Sequence, residues 1–240
     1  MATDHIVKSF DTELQHLDNC IAQMGGLAET QLAEAMDALA KRDALAAERV
    51  VARDARIDAL EHEVHERIVG LLALRQPMAR DLRAVVAALR IATDLERIGD
   101  YAKNIAKRTL ALTQAPPKSA VATIGRLGKL VQGMIKTVLD AYIDRDVDKA
   151  ADVRLADQEV DQLHTSLFRE LLTYMMEDPR NITSCTHLLF VAKNVERVGD
   201  HATNIAEAVH FVVRGQEPES RTKGDQSSVT VIDERGRTTR

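Results

Sequence analysis

Tryptophan is absent, tyrosine occurs three times, and aromatics make up 3% of the 240 residues. That scarcity argues against a β-sandwich and for a core of Leu, Val, Ile and Ala packed between helices. Cysteine is almost absent too. Cys20 and Cys185 stand alone with no CxxC spacing. Two isolated thiols fit a reducing compartment rather than a disulfide framework, and each is expected to serve as a small buried apolar residue. No run of 18 apolar residues exists, which excludes a membrane-spanning helix. Met1 to Phe10 contains no apolar stretch of the kind a secretory signal needs. Clustered positive charge is also missing. The net charge is −5 and spread along the chain, which argues against nucleic acid as a partner. No nucleophile constellation, Gly-rich phosphate loop or cofactor fingerprint occurs. The expectation is a cytoplasmic, soluble, non-enzymatic protein without an organic cofactor.

What the chain does have is helical period and an apolar fraction of 45%, enough for a sizeable core. Ile57, Leu60, Val64, Ile68 and Leu71 recur at steps of three and four. Leu82, Val85, Leu89 and Ala92 form one stripe of a later segment, and Ile91, Leu95, Ile98 and Ile105 form a second. Two stripes on one helix imply two packing neighbours. Breakers at Pro77, Pro116-Pro117 and Pro179 separate the segments. The spacing predicts six helices, at roughly 4–41, 44–74, 78–112, 120–142, 146–175 and 179–214. Val229–Asp233 is the one stretch that could alternate as a strand. Beyond residue 215 apolar residues thin out, and 215–240 is expected to be a disordered polar tail.

The chain repeats itself. Glu96-Arg97-Ile98-Gly99-Asp100-Tyr101-Ala102-Lys103-Asn104-Ile105-Ala106 returns 100 residues later as Glu196-Arg197-Val198-Gly199-Asp200-His201-Ala202-Thr203-Asn204-Ile205-Ala206, with eight of eleven positions identical. Upstream, Arg42-Asp43 matches Arg145-Asp146, and Asp54…Asp58 matches Asp157…Asp161, at an offset of 103. One three-helix unit is therefore present twice. The expected division is 1–114 and 120–214, joined by a Pro-rich linker at 115–119 and followed by the tail.

Carboxylates interrupt the apolar pattern. Glu96 and Asp100 follow Leu89 by steps that bring them within about 20° of its direction on the helix, and Leu189, Glu196 and Asp200 repeat this. Asp54/Asp58 and Asp157/Asp161 lie about 60–100° from the apolar stripe of the preceding helix. Each half thus carries two acid-xxx-acid pairs on neighbouring helices. Four oxygen donors there suit a hard cation such as Mg²⁺, Mn²⁺, Ca²⁺ or iron. Glu61 and His164, at matching positions, could add to the two sites, and Asn104 and Asn204 could orient the ligands. The competing reading is an ion-pair network in which Arg97 and Arg197 neutralise the acids. Gly99 and Gly199, inside helices where glycine costs about 1 kcal/mol, call for a close approach of a helix or ligand. The remaining histidines form no HExxH or paired metal spacing.

Leu72-Ala73-Leu74-Arg75-Gln76-Pro77-Met78-Ala79-Arg80-Asp81-Leu82-Arg83, Asp94-Leu95-Glu96-Arg97-Ile98-Gly99-Asp100 and Asn194 through Glu207 resemble the signature motifs of the PhoU family over about residues 5–214. The resemblance implies an all-α fold of two pseudo-symmetric three-helix bundles, often dimeric. It implies metal clusters at Asp54, Asp58, Glu96 and Asp100 and at Asp157, Asp161, Glu196 and Asp200. It further implies negative regulation of phosphate uptake, linking the ATPase subunit of a phosphate ABC transporter to a phosphate-sensing histidine kinase. Two alternatives stand beside it. A ferritin-like di-metal protein would need Glu-x-x-His pairs, and only Asp161-x-x-His164 comes near. A metal-free helical adaptor would work by surface contacts alone.

Overall fold

The computed structural model describes residues 2–75, 78–112, 114–216 and 218, and these contain helices and no strand. They form α1 (Ala2–Lys41), α2 (Ala44–Arg53), α3 (Ala55–Arg75), α4 (Ala79–Ala111), α5 (Lys118–Asp144), α6 (Val147–Glu177) and α7 (Ile182–Arg214), with a short 3₁₀ turn at Pro179–Asn181. α2 and α3 are one rod interrupted at Asp54, so six rods remain, as the periodicity predicts. At the interruption Asp54 keeps helical dihedrals, but its carbonyl accepts from Ile57 N at 2.8 Å and only loosely from Asp58 N at 3.3 Å. The equivalent rod of the second repeat, α6, runs unbroken through Asp157. The possible strand at Val229–Asp233 and most of the polar tail lie outside the described residues.

The first turn of each repeat is built the same way. Arg42 and Arg145 both have φ of 55°, a left-handed conformation usually left to glycine at a helix end. Asp43 N then reaches back to Ala38 O at 3.0 Å, and Asp146 N to Ala141 O at 3.0 Å. The two aspartates cap the following helices. Asp43 accepts from Ala46 N at 2.9 Å, and Asp146 from Asp148 N at 2.9 Å and Lys149 N at 3.1 Å.

Most residues of the apolar stripes predicted in the first repeat are buried. Ile57, Val64, Ile68, Leu95, Ile98 and Ile105 are at most 2% exposed. α4 and α7 share the most extensive helix–helix interface, and α1 also packs on α5, so the two repeats form one continuous core. Arg108 lies 4.2 Å from the centre of the Phe190 ring across the α4–α7 junction. One stripe differs from expectation. Leu82 is 40% exposed, and Leu89 is only partly buried. That face of α4 is the margin of the bundle, where water still reaches. Cys20 and Cys185 are both free and buried. No helix among the described residues is long and apolar enough to cross a membrane.

Candidate functional site: two acid clusters on the repeat

The margin of the first bundle brings Asp54, Asp58, Glu96 and Asp100 together. Asp54 is buried at the α2–α3 break, Glu96 and Asp100 are half-buried on α4, and Asp58 is exposed. Although Asp58 is the most open of the four, its partial desolvation and then the Asp54 charge push its carboxyl above the ordinary range. Desolvation, followed by the Asp100 charge, does the same to Glu96. Glu61 adds to the crowding at both.

A cation already sits among these acids. The Lys103 ammonium, one turn beyond Asp100 on α4, donates to Asp54 Oδ2 and to Asp100 Oδ1, the latter at 2.9 Å. These bonds, that to Asp54 above all, raise the pKa of Lys103 and hold it charged. The other Asp54 oxygen accepts from Gln31 Nε2 of α1 at 2.9 Å, and the same amide bonds the Gly99 carbonyl at 3.1 Å. Arg97 is more distant, 3.5 Å from Glu96 and 3.7 Å from Asp100. An ion-pair network therefore exists in this half, with Lys103 rather than Arg97 at its centre. Sequence reasoning missed Lys103 and Gln31. The signal for Lys103 was its i,i+3 spacing from Asp100 at a position where the two repeats differ. Gln31 gave no signal.

In the second bundle Asp157 and Glu196 are both buried, while Asp161 and Asp200 are half-buried. His164 faces Glu196 and Asp161. Desolvation lowers its pKa, against the pull of Glu196, so the imidazole tends to be neutral and can act as a ligand. Lys193 Nζ lies 2.5 Å from Glu196 Oε2 on the same helix. This is an ion pair by distance, yet Glu196 Oε2 receives no hydrogen bond of good geometry.

The two glycines mark where the acid-bearing helices cross closely. A Cβ on Gly99 would stand 2.8 Å from Ile57 Cδ1 and 3.6 Å from Asp54 Oδ1. One on Gly199 would stand 3.2 Å from Asp157 Oδ1. The expected close approach is present in both halves. The expectation for the asparagines does not hold. Asn104 is exposed, and Asn204 donates to Asp94 Oδ1 at 3.3 Å across the α4–α7 junction. There Asp94 also meets His201 Nδ1 at 2.7 Å, and the Tyr101 ring packs at a tilt of 32° against the His201 ring, 5.5 Å between centres. Arg197 turns its guanidinium over Tyr101, 5.7 Å from the ring centre.

The donor set of the second cluster, carboxylates with a neutral imidazole beside them, fits Mn²⁺, Fe or Zn²⁺ chemistry, and the first cluster already holds an ammonium. A further cluster was not anticipated. Donor atoms of His16, Cys20 and Glu63 lie within 4.8 Å of one another, which could hold a metal ion, although Arg67 already binds Glu63 at 2.9 Å. A groove of 560 Å³ between α5 and α6, lined in part by Arg126, Lys129, Glu159 and Gln162, contains none of the eight acids.

An all-α tandem-repeat protein with an acid-bearing margin on each bundle is the class this fold and site define. The PhoU domain family model matches it twice, at residues 21–109 and 124–209. Over 216 residues the chain is 56% identical to a phosphate-specific transport system accessory protein PhoU homolog of Caulobacter vibrioides, covering 90% of this chain and 94% of that protein. It is 47% identical over 230 residues to the homolog so described in Rhizobium meliloti, covering 95% and 97%. The crystal structure of PhoU from Pseudomonas aeruginosa superposes with a TM-score of 0.83 at 38% identity, covering 86% of this chain and all (100%) of that one. The phosphate transport system regulatory protein PhoU from Streptococcus pneumoniae gives a TM-score of 0.81 at 29% identity, covering 88% and 100%. The chain belongs to the PhoU family.

Proposed function

We propose that this protein is a cytoplasmic accessory protein of a phosphate-specific transport system and restrains phosphate uptake and phosphate-starvation signalling. The reading rests on one observation. Both PhoU domains are present, and relatives described as accessory proteins of that system match the chain over at least 90% of its length. The protein acts by contact, as an adaptor between the transporter's ATPase subunit and a phosphate-sensing histidine kinase, and works as a homodimer. Catalysis forms no part of the role.

The acid clusters supply a cation-dependent element of this adaptor. Asp157, Asp161, Glu196 and Asp200, with His164, would hold a divalent or trivalent ion such as manganese or iron. Bound there, the ion would tie α6 to α7 and screen four carboxylates. A metal-free adaptor is the second reading, favoured in the first bundle by the Lys103 bridge between Asp54 and Asp100.

Deletion of the gene tests the regulatory role. Phosphate-starvation reporters and phosphate accumulation should rise in phosphate-rich medium and return to normal on complementation. Unchanged reporters and uptake would refute the reading. Co-purification with the ATPase subunit tests the adaptor contact separately.

A further inference from the structure

α1 and α3 bring together three ligand-type side chains that neither acid cluster uses. His16 and Cys20 stand four residues apart on α1 and so share one face of the helix. Glu63 meets them from α3. His16 Nε2 lies 3.9 Å from Glu63 Oε1, and Cys20 Sγ lies 4.0 Å from the same oxygen. Donor atoms of all three fall within 4.8 Å of one another. Cys20 is buried, at 4% exposed, whereas His16 and Glu63 keep 44% and 41% of their side chains exposed. The group thus has a dry sulfur end and an open mouth. About 16 Å of helix separates Cys20 from Gln31, which serves the first acid cluster. The second repeat carries no such set. At the 103-residue offset its positions are Ser119, Thr123 and Ser166. There the Ser119 and Tyr174 hydroxyls pair at 2.5 Å, and Thr123 donates to Glu170 Oε2 at 3.5 Å. The ligand set therefore belongs to the first half alone and not to the duplicated acid motif.

We propose that His16, Cys20 and Glu63 form a Zn²⁺ site that ties α1 to α3, with water as the fourth ligand. An imidazole nitrogen, a thiolate sulfur and a carboxylate oxygen suit zinc, whereas magnesium and calcium take oxygen donors. Donors about 2.0–2.3 Å from a tetrahedral zinc stand roughly 3.3–3.8 Å apart. The separations here are slightly wider, 3.9 and 4.0 Å to Glu63, so modest side-chain movement closes the site. Arg67 is the competitor, since its Nε donates to Glu63 Oε1 at 2.9 Å. It need not leave. A carboxylate has two oxygens, and the guanidinium can slide to Oε2 and orient the ligand from there. Glu13 lies 3.8 Å from Arg67 Nη1, and both residues border a cavity of 210 Å³ that gives the guanidinium room to move. Charge closes as well. Burial, then the Glu63 charge, raises the Cys20 pKa and keeps the free thiol protonated. The ion releases that proton to solvent as the sulfur–zinc bond forms. The thiolate, Glu63 and Glu13 then balance the double charge of zinc and the single charge of Arg67.

This site is independent of the regulatory role proposed above, and so is its test. The full chain is stripped with chelator in a phosphine reductant and titrated with Co²⁺, whose bond to a thiolate gives an intense near-ultraviolet charge-transfer band. Cobalt held by carboxylates alone gives no such band, so the acid clusters do not interfere. The wild type should develop the band up to one Co²⁺ per chain, and added Zn²⁺ should abolish it. Cys185→Ser should keep the band, and Cys20→Ser should lose it. His16→Ala and Glu63→Gln change partly exposed side chains, and each should weaken Co²⁺ binding, followed at the band, roughly tenfold or more. A wild type without the band would overturn the proposal. So would a band that survives in Cys20→Ser. Titrations of His16→Ala and Glu63→Gln that match the wild type would also refute it, because the thiol would then be binding alone. Should Cys20→Ser fail to fold by circular dichroism, the His16→Ala and Glu63→Gln titrations decide.

Discussion

Gly25 of α1 lies against the Leu139 side chain of α5, and Gly128 of α5 lies against Met36 of α1, so each pair is the image of the other under the 103-residue offset. The repeat therefore extends beyond the acid motifs into the contact between the halves.

These two glycines should respond differently to alanine. A Cβ at Gly25 would come within 2.7 Å of Leu139 Cδ1, and one at Gly128 within 2.6 Å of Met36 Cε. Methionine's unbranched chain can move aside more readily than the branched end of leucine, of which both methyls and Cγ crowd the position. Gly25→Ala should lose about 1–3 kcal/mol to overpacking, less the gain in helix propensity of about 1 kcal/mol. In Gly128→Ala the propensity gain should dominate, leaving stability unchanged or slightly raised. Urea denaturation of both variants checks the order.

Tyr142 predicts an alkaline slope. Its hydroxyl donates to Asp18 Oδ1 at 2.5 Å, and Arg145 Nη2 holds both oxygens of the same carboxylate at 3.0 Å. Burial, then the Asp18 charge, raises the Tyr142 pKa above its ordinary value of 10.0. The folded state thus keeps the phenol proton more tightly than the unfolded chain does. That contribution is complete below about pH 10 and is lost as pH rises further. Tyr142→Phe should cost about 1 kcal/mol at neutral pH, and the gap to wild type should close above pH 10. Melting curves of both proteins across that window test the sign.

The paired turns offer a third test. Asp43→Ala and Asp146→Ala each remove a helix cap and should destabilise by about 1 kcal/mol. Arg42→Gly should relieve left-handed strain at the cost of the Arg42 Nη2 bond to Leu112 O, which is long at 3.3 Å. Arg145→Gly loses the contact of Nη2 to both Asp18 oxygens and should be the less stable of the two glycine variants. Thermal melts rank the set.

The Asp94 carboxylate ties α4 to α7 through His201 and Asn204. Asp94→Leu leaves both without their acceptor and should cost about 1–3 kcal/mol. Asp94→Asn, which installs the residue found at the equivalent Asn194, should cost less. A smaller loss for leucine than for asparagine would show that this contact contributes nothing to the junction.

The sequence made the six rods, the duplication and the acid pairs legible because each leaves a periodic or repeated trace. Leu89, Glu96 and Asp100 do share one face of α4. What the period could not give is depth, so Glu96 and Asp100 sit at a wetted margin although the buried Leu95 and Ile98 are their near neighbours in sequence. Partners across rods were equally hidden. Gln31 lies 23 residues before Asp54, and Asp94 meets a histidine 107 residues away. Such pairs depend on how rods cross. Helical spacing is silent on that, and Asn204 was misassigned for this reason.

The shared core has a consequence for any fragment of the chain. A half ending at the Pro116-Pro117 linker would keep its three rods but present the α4 flank that normally meets α7, and the Gly25 face of α1, to water. The quickest way to hide those surfaces is a second copy of the same half. Isolated 1–114 should therefore assemble with itself and turn the approximate symmetry of the intact chain into a true twofold. Sedimentation of that fragment would then report a dimer whose junction imitates the one closed within the single polypeptide.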